Sequence, residues 1–512
     1  MDPAFRLAGS TWTRAGFGRP PEAAHGPGRP PMIPHSLRRL ARTPLAALAL
    51  LAPAASAQGG EPALGVDMSL WTVLPFALIL ISIAVLPLVA HRWWESNRNK
   101  GIVAAMLAAP VAAYLLIAHG AAGGHVLLEK LHEYLSFVVL LGSLFVISGG
   151  IVVRGSLSGT PLVNTAILGI GAVLASIIGT TGASVLLIRP LLRANAPRKA
   201  TTHIVVFFIF TVSNCGGLLT PLGDPPLFLG FLQGVPFEWT LQLWKEWLVV
   251  NAALLVIFNV WDQRVLAAEE LARPGSQLEE VQHHAPLSIA GGFNFVFLLG
   301  VVLAIYGSGT GLLNGGRPWP IGVQEAAMVL LALAAWFATK PALRTENRFS
   351  WHPIVEVAVL FAGIFVCMAP ALLVLNAWGQ GARTVAGVEF AMREPWQFFW
   401  ATGVLSSFLD NAPTYLTFAA TTAGMHGVPV DQPRYLGALL ATGEPASALM
   451  IAISCGSVFM GANTYIGNGP NFMVKAIAEE SGVKMPAFFG YMLYSGVVLL
   501  PLFGVVTWLF LL

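Results

Sequence analysis

The chain has 512 residues, 56% of them hydrophobic and only 10% charged, with a formal net charge of +3. Soluble proteins carry roughly 25% charged residues, so this chain cannot cover itself with a polar surface and much of its solvent must be lipid. So small a net charge points to no nucleic-acid partner. The three cysteines (Cys215, Cys367 and Cys455) stand singly in apolar runs and read as small buried hydrophobes rather than metal ligands or disulfides.

Residues 1–31 are rich in Gly, Pro, Ala and Arg without apolar period and read as a disordered or non-native extension. From Met32 the pattern changes. His35, Arg38, Arg39 and Arg42 precede a short apolar run and then Ala55-Ser56-Ala57, the layout of a secretory signal over 32–57. Cleavage after Ala57 is expected, and an uncleaved anchor is the alternative.

Apolar runs near span length follow at 70–90, 102–119 and 135–153. The run 162–193 is interrupted at Gly179-Thr180-Thr181-Gly182-Ala183-Ser184. A broken run, 202–232, and a plain one, 239–261, complete a first repeat over 58–261. A polar linker, 262–286, leads to a second repeat, 287–512. It has runs at 287–306, 321–339 and 354–378, an interrupted run at 397–424 around Asp410-Asn411-Ala412-Pro413-Thr414, a broken run at 436–477 and a last span at 487–511. The expected fold is an all-α polytopic membrane protein. Each half holds three transmembrane helices, a re-entrant hairpin, a broken transmembrane helix and a further transmembrane helix. An odd number of crossings per half turns the halves upside down relative to each other, making an inverted repeat.

Charge supports this count. With the mature N-terminus outside, 91–101, 154–161, 194–201, 262–286, 340–352 and 478–486 fall inside with most of the Lys and Arg. Lys130, Arg317, Arg383, Arg393 and Arg434 fall outside. The expected place is therefore a bacterial inner membrane, with mature N- and C-termini periplasmic.

The two broken runs share one spacing. Gly217, Thr220, Gly223, Pro226 and Phe228 in the first match Gly461, Thr464, Gly467, Pro470 and Phe472 in the second. In lipid, irregular backbone is tolerated only where it lines a protein cavity, and paired breaks point to a transporter's binding site. The hairpin tips add Thr180, Thr181 and Ser184, then Asn411 and Thr414. The breaks add Asn214 and Asp224, then Asn463, Asn468 and Asn471. Hydroxyl, amide, carboxylate and freed carbonyl oxygens suit a hard cation, and glycines let backbone approach it. A carboxylate at membrane depth asks for a function. Burial favours its protonated form and a bound cation favours the ionised one, so Asp224 and Asp410 can exchange a proton for a cation. The bland readings also stand. Asp224 before Pro225-Pro226 fits a helix N-cap, a reading with less to recommend it at Asp410. Glu444, His203, His132 and Glu133 lie near span boundaries as interface residues, and the Trp residues form an interfacial belt. No P-loop, HExxH or nucleophile elbow is present, so an enzyme is not expected and remains, with a scaffold, a remote alternative.

At these four stretches the chain resembles the ion transporter superfamily that contains NhaD-type sodium/proton antiporters, arsenite permeases, citrate–metal transporters and divalent-anion/sodium symporters. Ser407 to Pro413 is similar to the Asp-Asn-x-Pro hairpin of NhaD-type antiporters, and Gly216 to Pro226 looks like the unwound loop of the symporters. The resemblance implies a sodium site from Thr181, Ser184, Gly217, Thr220 and Gly223, and a mirror site from Asn411, Thr414, Gly461, Thr464 and Gly467. It implies a homodimer, no cofactor, and transported sodium ions and protons. The symporters carry Ser-Asn-Thr at both tips to hold a carboxylate. Asp410 at the second tip repels such a substrate, which favours sodium/proton antiport over sodium- or cation-coupled citrate or dicarboxylate symport.

Overall fold

The computed structural model describes residues 64–272 and 285–512. The N-terminal extension, the signal segment and the middle of the linker lie outside the described residues.

The protein is an all-α polytopic membrane protein. Among the described residues, eight helical stretches are long and apolar enough to cross a bilayer. Helix α1 (Leu74–Val89) leads into α2 (Asn97–Ser148), which at 52 residues joins two of the expected spans. At 1.5 Å per residue a straight helix of that length would far exceed a bilayer. It folds back at Gly120, whose φ of 52° and ψ of −122° are open to glycine. A Cβ at Gly123 would strike the Leu115 carbonyl, so the two arms meet directly after the bend. The polar stretch between the expected spans is therefore helix rather than loop.

Strand β1 (Val152–Ser156) follows, then α3 (Pro161–Ile178) and α4 (Thr180–Ala194), joined at Gly179. These make a hairpin. Its base is closed by Asn164 and Asn195, whose amides donate to each other's oxygens at 2.9 and 2.7 Å. The first broken run is α5 (Thr202–Thr211), an irregular stretch with a 3₁₀ turn at Cys215–Leu219, and α6 (Pro225–Leu232). Helix α7 (Trp244–Ala272) runs past the expected span end into the linker.

Strand β2 (Ala285–Ala290) pairs antiparallel with β1, a small ladder that the apolar pattern does not announce. Helices α8 (Asn294–Thr310), α9 (Val323–Ala338) and α10 (His352–Gly379) follow. The second hairpin is α11 (Pro395–Phe408) and α12 (Asn411–Met425), joined at Leu409-Asp410. The second broken run is α13 (Glu444–Met460), a 3₁₀ turn at Gly461–Asn463, and α14 (Gly469–Glu480); α15 (Phe488–Val506) closes the fold.

Segments assigned to one side of the membrane meet in space. Arg154 pairs with Glu346 at 2.7 Å and Arg348 with Glu480 at 3.4 Å, and the Thr202 hydroxyl donates to the Lys484 carbonyl at 3.0 Å. The Arg154 hydrogen bonds hold the Glu346 carboxyl below its ordinary range. At the other end, Arg383 donates to the Gly65 and Met68 carbonyls at 2.7 Å, and Leu436 N–H to the Gln233 carbonyl at 3.0 Å. Cys215, Cys367 and Cys455 are buried and unpaired.

Candidate functional site

Each hairpin tip inserts against a chain break. Glycines make the approach possible. A Cβ on Gly217 would lie 2.7 Å from Thr180 Cγ2 and 3.0 Å from the Gly223 carbonyl oxygen. One on Gly467 would lie 2.6 Å from the Gly461 carbonyl oxygen and 2.7 Å from that of Ser406. Real side-chain atoms do not sit so close, so the backbone on either side of each break runs in contact.

Two threonines tie the breaks to the tips in the same way. The Thr220 hydroxyl donates to the Ser176 carbonyl and accepts from Leu222 N–H at 3.2 Å. The Thr464 hydroxyl donates to the Ser407 carbonyl at 2.5 Å and accepts from Ile466 N–H at 3.2 Å. The Thr180 N–H donates to the Gly223 carbonyl at 2.8 Å. These bonds satisfy backbone groups that a broken helix would otherwise leave unpaired in an apolar medium.

The breaks also bond to each other. Asn214 Nδ2 donates to Asn471 Oδ1 at 2.7 Å, and Asn471 Nδ2 donates to the Gly461 and Thr464 carbonyls at 2.9 Å.

All four interruptions converge on Asp224, which is 1% exposed. Its Oδ1 accepts from the Thr180 hydroxyl at 2.9 Å, from the first tip, and from Asn468 Nδ2 at 3.0 Å, from the second break. Its Oδ2 accepts from Asn411 Nδ2 of the second tip. Asn468 Nδ2 also lies 3.1 Å from Asn214 Oδ1. Three neutral donors thus replace the water that a buried carboxylate loses.

Asp410 stands differently. Its Oδ1 caps α12 by accepting from Ala412 N–H at 3.1 Å, and its carbonyl accepts from the Thr414 hydroxyl at 2.9 Å. The capping expectation is thereby exchanged between the two aspartates. Asp224 sits at the N-cap position of α6 but makes no side-chain cap bond, because three tertiary donors hold it. Asp410, where a cap had less to recommend it, is a side-chain cap.

The structure thus brings Asp224, Asn411, Asn468 and Asn214 into one network and sets Asp410 beside it. Thr181 lines the adjoining cavity. Ser184 points elsewhere and shares a 2.8 Å hydrogen bond with Ser213. Asn463 donates to Ser407 Oγ at 2.9 Å, leaving its own oxygen without a partner among the described residues. Thr180 is the hydroxyl that reaches Asp224; among the tip hydroxyls the sequence offers, the resemblance had favoured Thr181 and Ser184. Ser176 was not singled out, and Ser407 entered only as the first residue of the hairpin motif. Each lies four residues before its tip's donor, Thr180 or Asn411, and that repeated interval was the available signal.

A cavity of about 530 Å³ reaches both aspartates. Its lining includes residues of α2, α10 and α14. Its charged lining is Glu95, Lys100, Asp224, Glu356, Asp410 and Glu480, and Lys100 is paired with Glu356 at 2.7 Å.

A sequence model of the family described as putative citrate transport matches residues 65–511, nearly all of the chain. The chain belongs to that family. It is also 24% identical over 312 residues to a Synechocystis protein described as an uncharacterized transporter; the match covers 58% of this chain and 66% of that protein, just under two thirds of its length.

Proposed function

We propose, from membership of that transporter family and from the geometry around Asp224, that the chain is a sodium/proton antiporter of a bacterial inner membrane. The observation that carries the reading is the convergence of both tips and both breaks on one buried carboxylate, with a second carboxylate in the same cavity. Such a centre holds a proton or a small cation in turn. With a cation bound, Asp224 and Asp410 are ionised and hydroxyl, amide and backbone oxygens complete the shell. With the cation gone, protons neutralise the carboxylates, which low dielectric would otherwise make costly.

Asn411 suits both states. As placed, its Nδ2 donates to ionised Asp224 while its Oδ1 has no partner among the described residues. Rotating the amide by half a turn presents Oδ1 to a protonated Asp224, which then donates. Neither state leaves the amide clashing with the carboxyl group.

The lining of the cavity favours a cation as cargo. It holds five carboxylates and one lysine; the lysine is paired with Glu356 and Glu480 is paired with Arg348, which leaves the two aspartates to set the charge at the centre. A di- or tricarboxylate entering there would meet net negative charge in a poorly screened space. The family description favours the second reading, citrate or dicarboxylate carried with sodium or another cation. In that case cations would first have to cover Asp224 and Asp410.

The two halves serve as oppositely oriented copies, with hairpins and broken helices moving as a core against the other helices. By the resemblance, the remaining helices hold a homodimer. Everted vesicles loaded with a pH dye test the assignment. Sodium-evoked dequenching that disappears in Asp410→Asn is the expected result. Sodium-dependent uptake of labelled citrate without sodium-evoked proton movement would overturn it in favour of the symporter.

A further inference from the structure

The last helix of each half holds that half's chain break in the same way. Helix α7 packs against the turn Cys215–Leu219, and α15 packs against the turn Gly461–Asn463. Trp247 and Asn251 of α7 follow Gly217 by 30 and 34 residues; Tyr491 and Ser495 of α15 follow Gly461 by the same 30 and 34. Each pair is spaced by one helical turn and shares a face.

All four side chains donate to a carbonyl of the turn they meet. Trp247 Nε1 reaches the Gly216 carbonyl at 3.0 Å, and Asn251 Nδ2 reaches that of Cys215 at 3.3 Å. The Tyr491 hydroxyl reaches the Ala462 carbonyl at 2.9 Å, and the Ser495 hydroxyl reaches that of Asn463 at 2.7 Å. Asn251, Tyr491 and Ser495 are buried, and Trp247 is half-buried. The hairpins hold the same stretches through other donors. Ser176 Oγ donates to the Gly216 carbonyl at 2.5 Å and accepts from Leu219 N–H at 3.2 Å, and Ser407 Oγ donates to the Met460 carbonyl at 3.2 Å. Thr240, ahead of α7, donates to the Leu219 carbonyl at 2.9 Å. The donor chemistry differs between the halves, indole and amide in one and two hydroxyls in the other, while position and role agree. Packing alone would not ask for a donor at all four places.

A protein site discriminates among hard cations by the size of its oxygen cage, the number of ligands and their freedom to move. Peptide groups of a loose turn can swing to fit ions of different radius, whereas peptide groups held by side-chain donors keep one spacing. The held carbonyls stand beside Gly217 in the first break and between Gly461 and Thr464 in the second, within the backbone expected to meet the cation.

We propose that Trp247, Asn251, Tyr491 and Ser495 are positioning residues that fix the spacing of the cation's backbone ligands and thereby set which alkali ion the centre accepts. The proposal rests on the reading of the breaks as a cation site. The four side chains act through the turns and are not themselves ligands.

The test measures antiport by the full-length protein in proteoliposomes, with sodium and with lithium, and compares the half-saturating concentrations. Tyr491→Phe and Ser495→Ala each delete one oxygen, and Trp247→Phe deletes the indole N–H. Each is expected to change the lithium-to-sodium ratio by at least about fivefold, the scale of one neutral hydrogen bond. Ser495→Thr, which keeps the hydroxyl, is expected to hold the wild-type ratio. Cation-dependent melting in detergent gives the same comparison for any variant that turns over too slowly to assay. Lower activity or a lower melting temperature with an unchanged ratio would make these residues merely structural and overturn the proposal, as would no change at all. A wild-type protein that moves no protons with either ion would instead overturn the antiport reading.

Discussion

The Asp224→Asn substitution separates the charge of the centre from its hydrogen bonds. An asparagine side chain keeps the shape, and its oxygen can still accept from Thr180 and Asn468, which reach Asp224 Oδ1 at 2.9 and 3.0 Å. Its amide nitrogen then faces Asn411, and Asn411 rotates to offer an oxygen that has no other partner. The variant therefore imitates the protonated centre and folds. Asp224→Ala instead strands the Thr180 and Asn411 donors, at about 1–3 kcal/mol for each unsatisfied group, so it is less stable by about 2–6 kcal/mol. The functional loss is of another kind. One unit charge about 4 Å from a bound cation contributes about 4 kcal/mol at an effective dielectric of 20, so sodium affinity falls by about 10³-fold in both variants. Thermal unfolding in detergent, with and without sodium, reads both effects. The expected pattern is an Asn variant that melts near the wild type but no longer responds to sodium, and an Ala variant that melts well below both. Sodium stabilisation surviving in the Asn variant would refute the placement of the cation. Equal melting of the two variants would refute the hydrogen-bond hub.

Three further outcomes follow from the same geometry. Asp410→Asn should keep the cap on α12, since Asn caps as well as Asp, whereas Asp410→Ala should lose about 1 kcal/mol of stability; both should abolish sodium-evoked proton movement in vesicles. Gly223→Ala and Gly467→Ala should each destabilise by about 1–3 kcal/mol, seen as lower yield and melting temperature, because the added Cβ meets the backbone of Gly217 or Gly461. Glu356→Gln should leave Lys100 unpaired in the cavity and slow sodium transport, with the deficit shrinking as ionic strength rises and the Debye length falls below about 8 Å.

The breaks were legible because a helix in lipid can stop only where glycine, proline and small polar residues permit it, and both stretches show that chemistry at one spacing. What the tips do was less legible. Whether Thr180 or Thr181 faces the carboxylate depends on the helix phase set at Gly179, whose φ of 82° is a tertiary outcome. The cap at Asp224 was a sound local reading of Asp-Pro-Pro, overridden by three donors from far along the chain. His132 and Glu133 were read as interface residues at a span boundary and Lys130 as lying outside, yet α2 continues through them. Lys130 and Glu133 pair at i,i+3, and Ser136 takes up Glu325 across the helices, so the charges are held without ending the helix. The β1–β2 ladder was hidden because its residues look like the frayed ends of apolar runs.

The difference between the halves lies at two positions. Asp224 aligns with Asn468 in the shared spacing, and the two side chains meet at 3.0 Å. Two aspartates at that distance could not both ionise, and one would hold a proton even while a cation was needed. Two asparagines would leave no charge to exchange. One of each gives a single carboxylate with a neutral donor supplied by the other half. Asp410 adds its charge at the cavity wall, where the first tip has Gly179. The matching glycines and threonines bring the four interruptions together, and the unmatched carboxylates give that meeting point a charge that a proton or a cation can neutralise in turn.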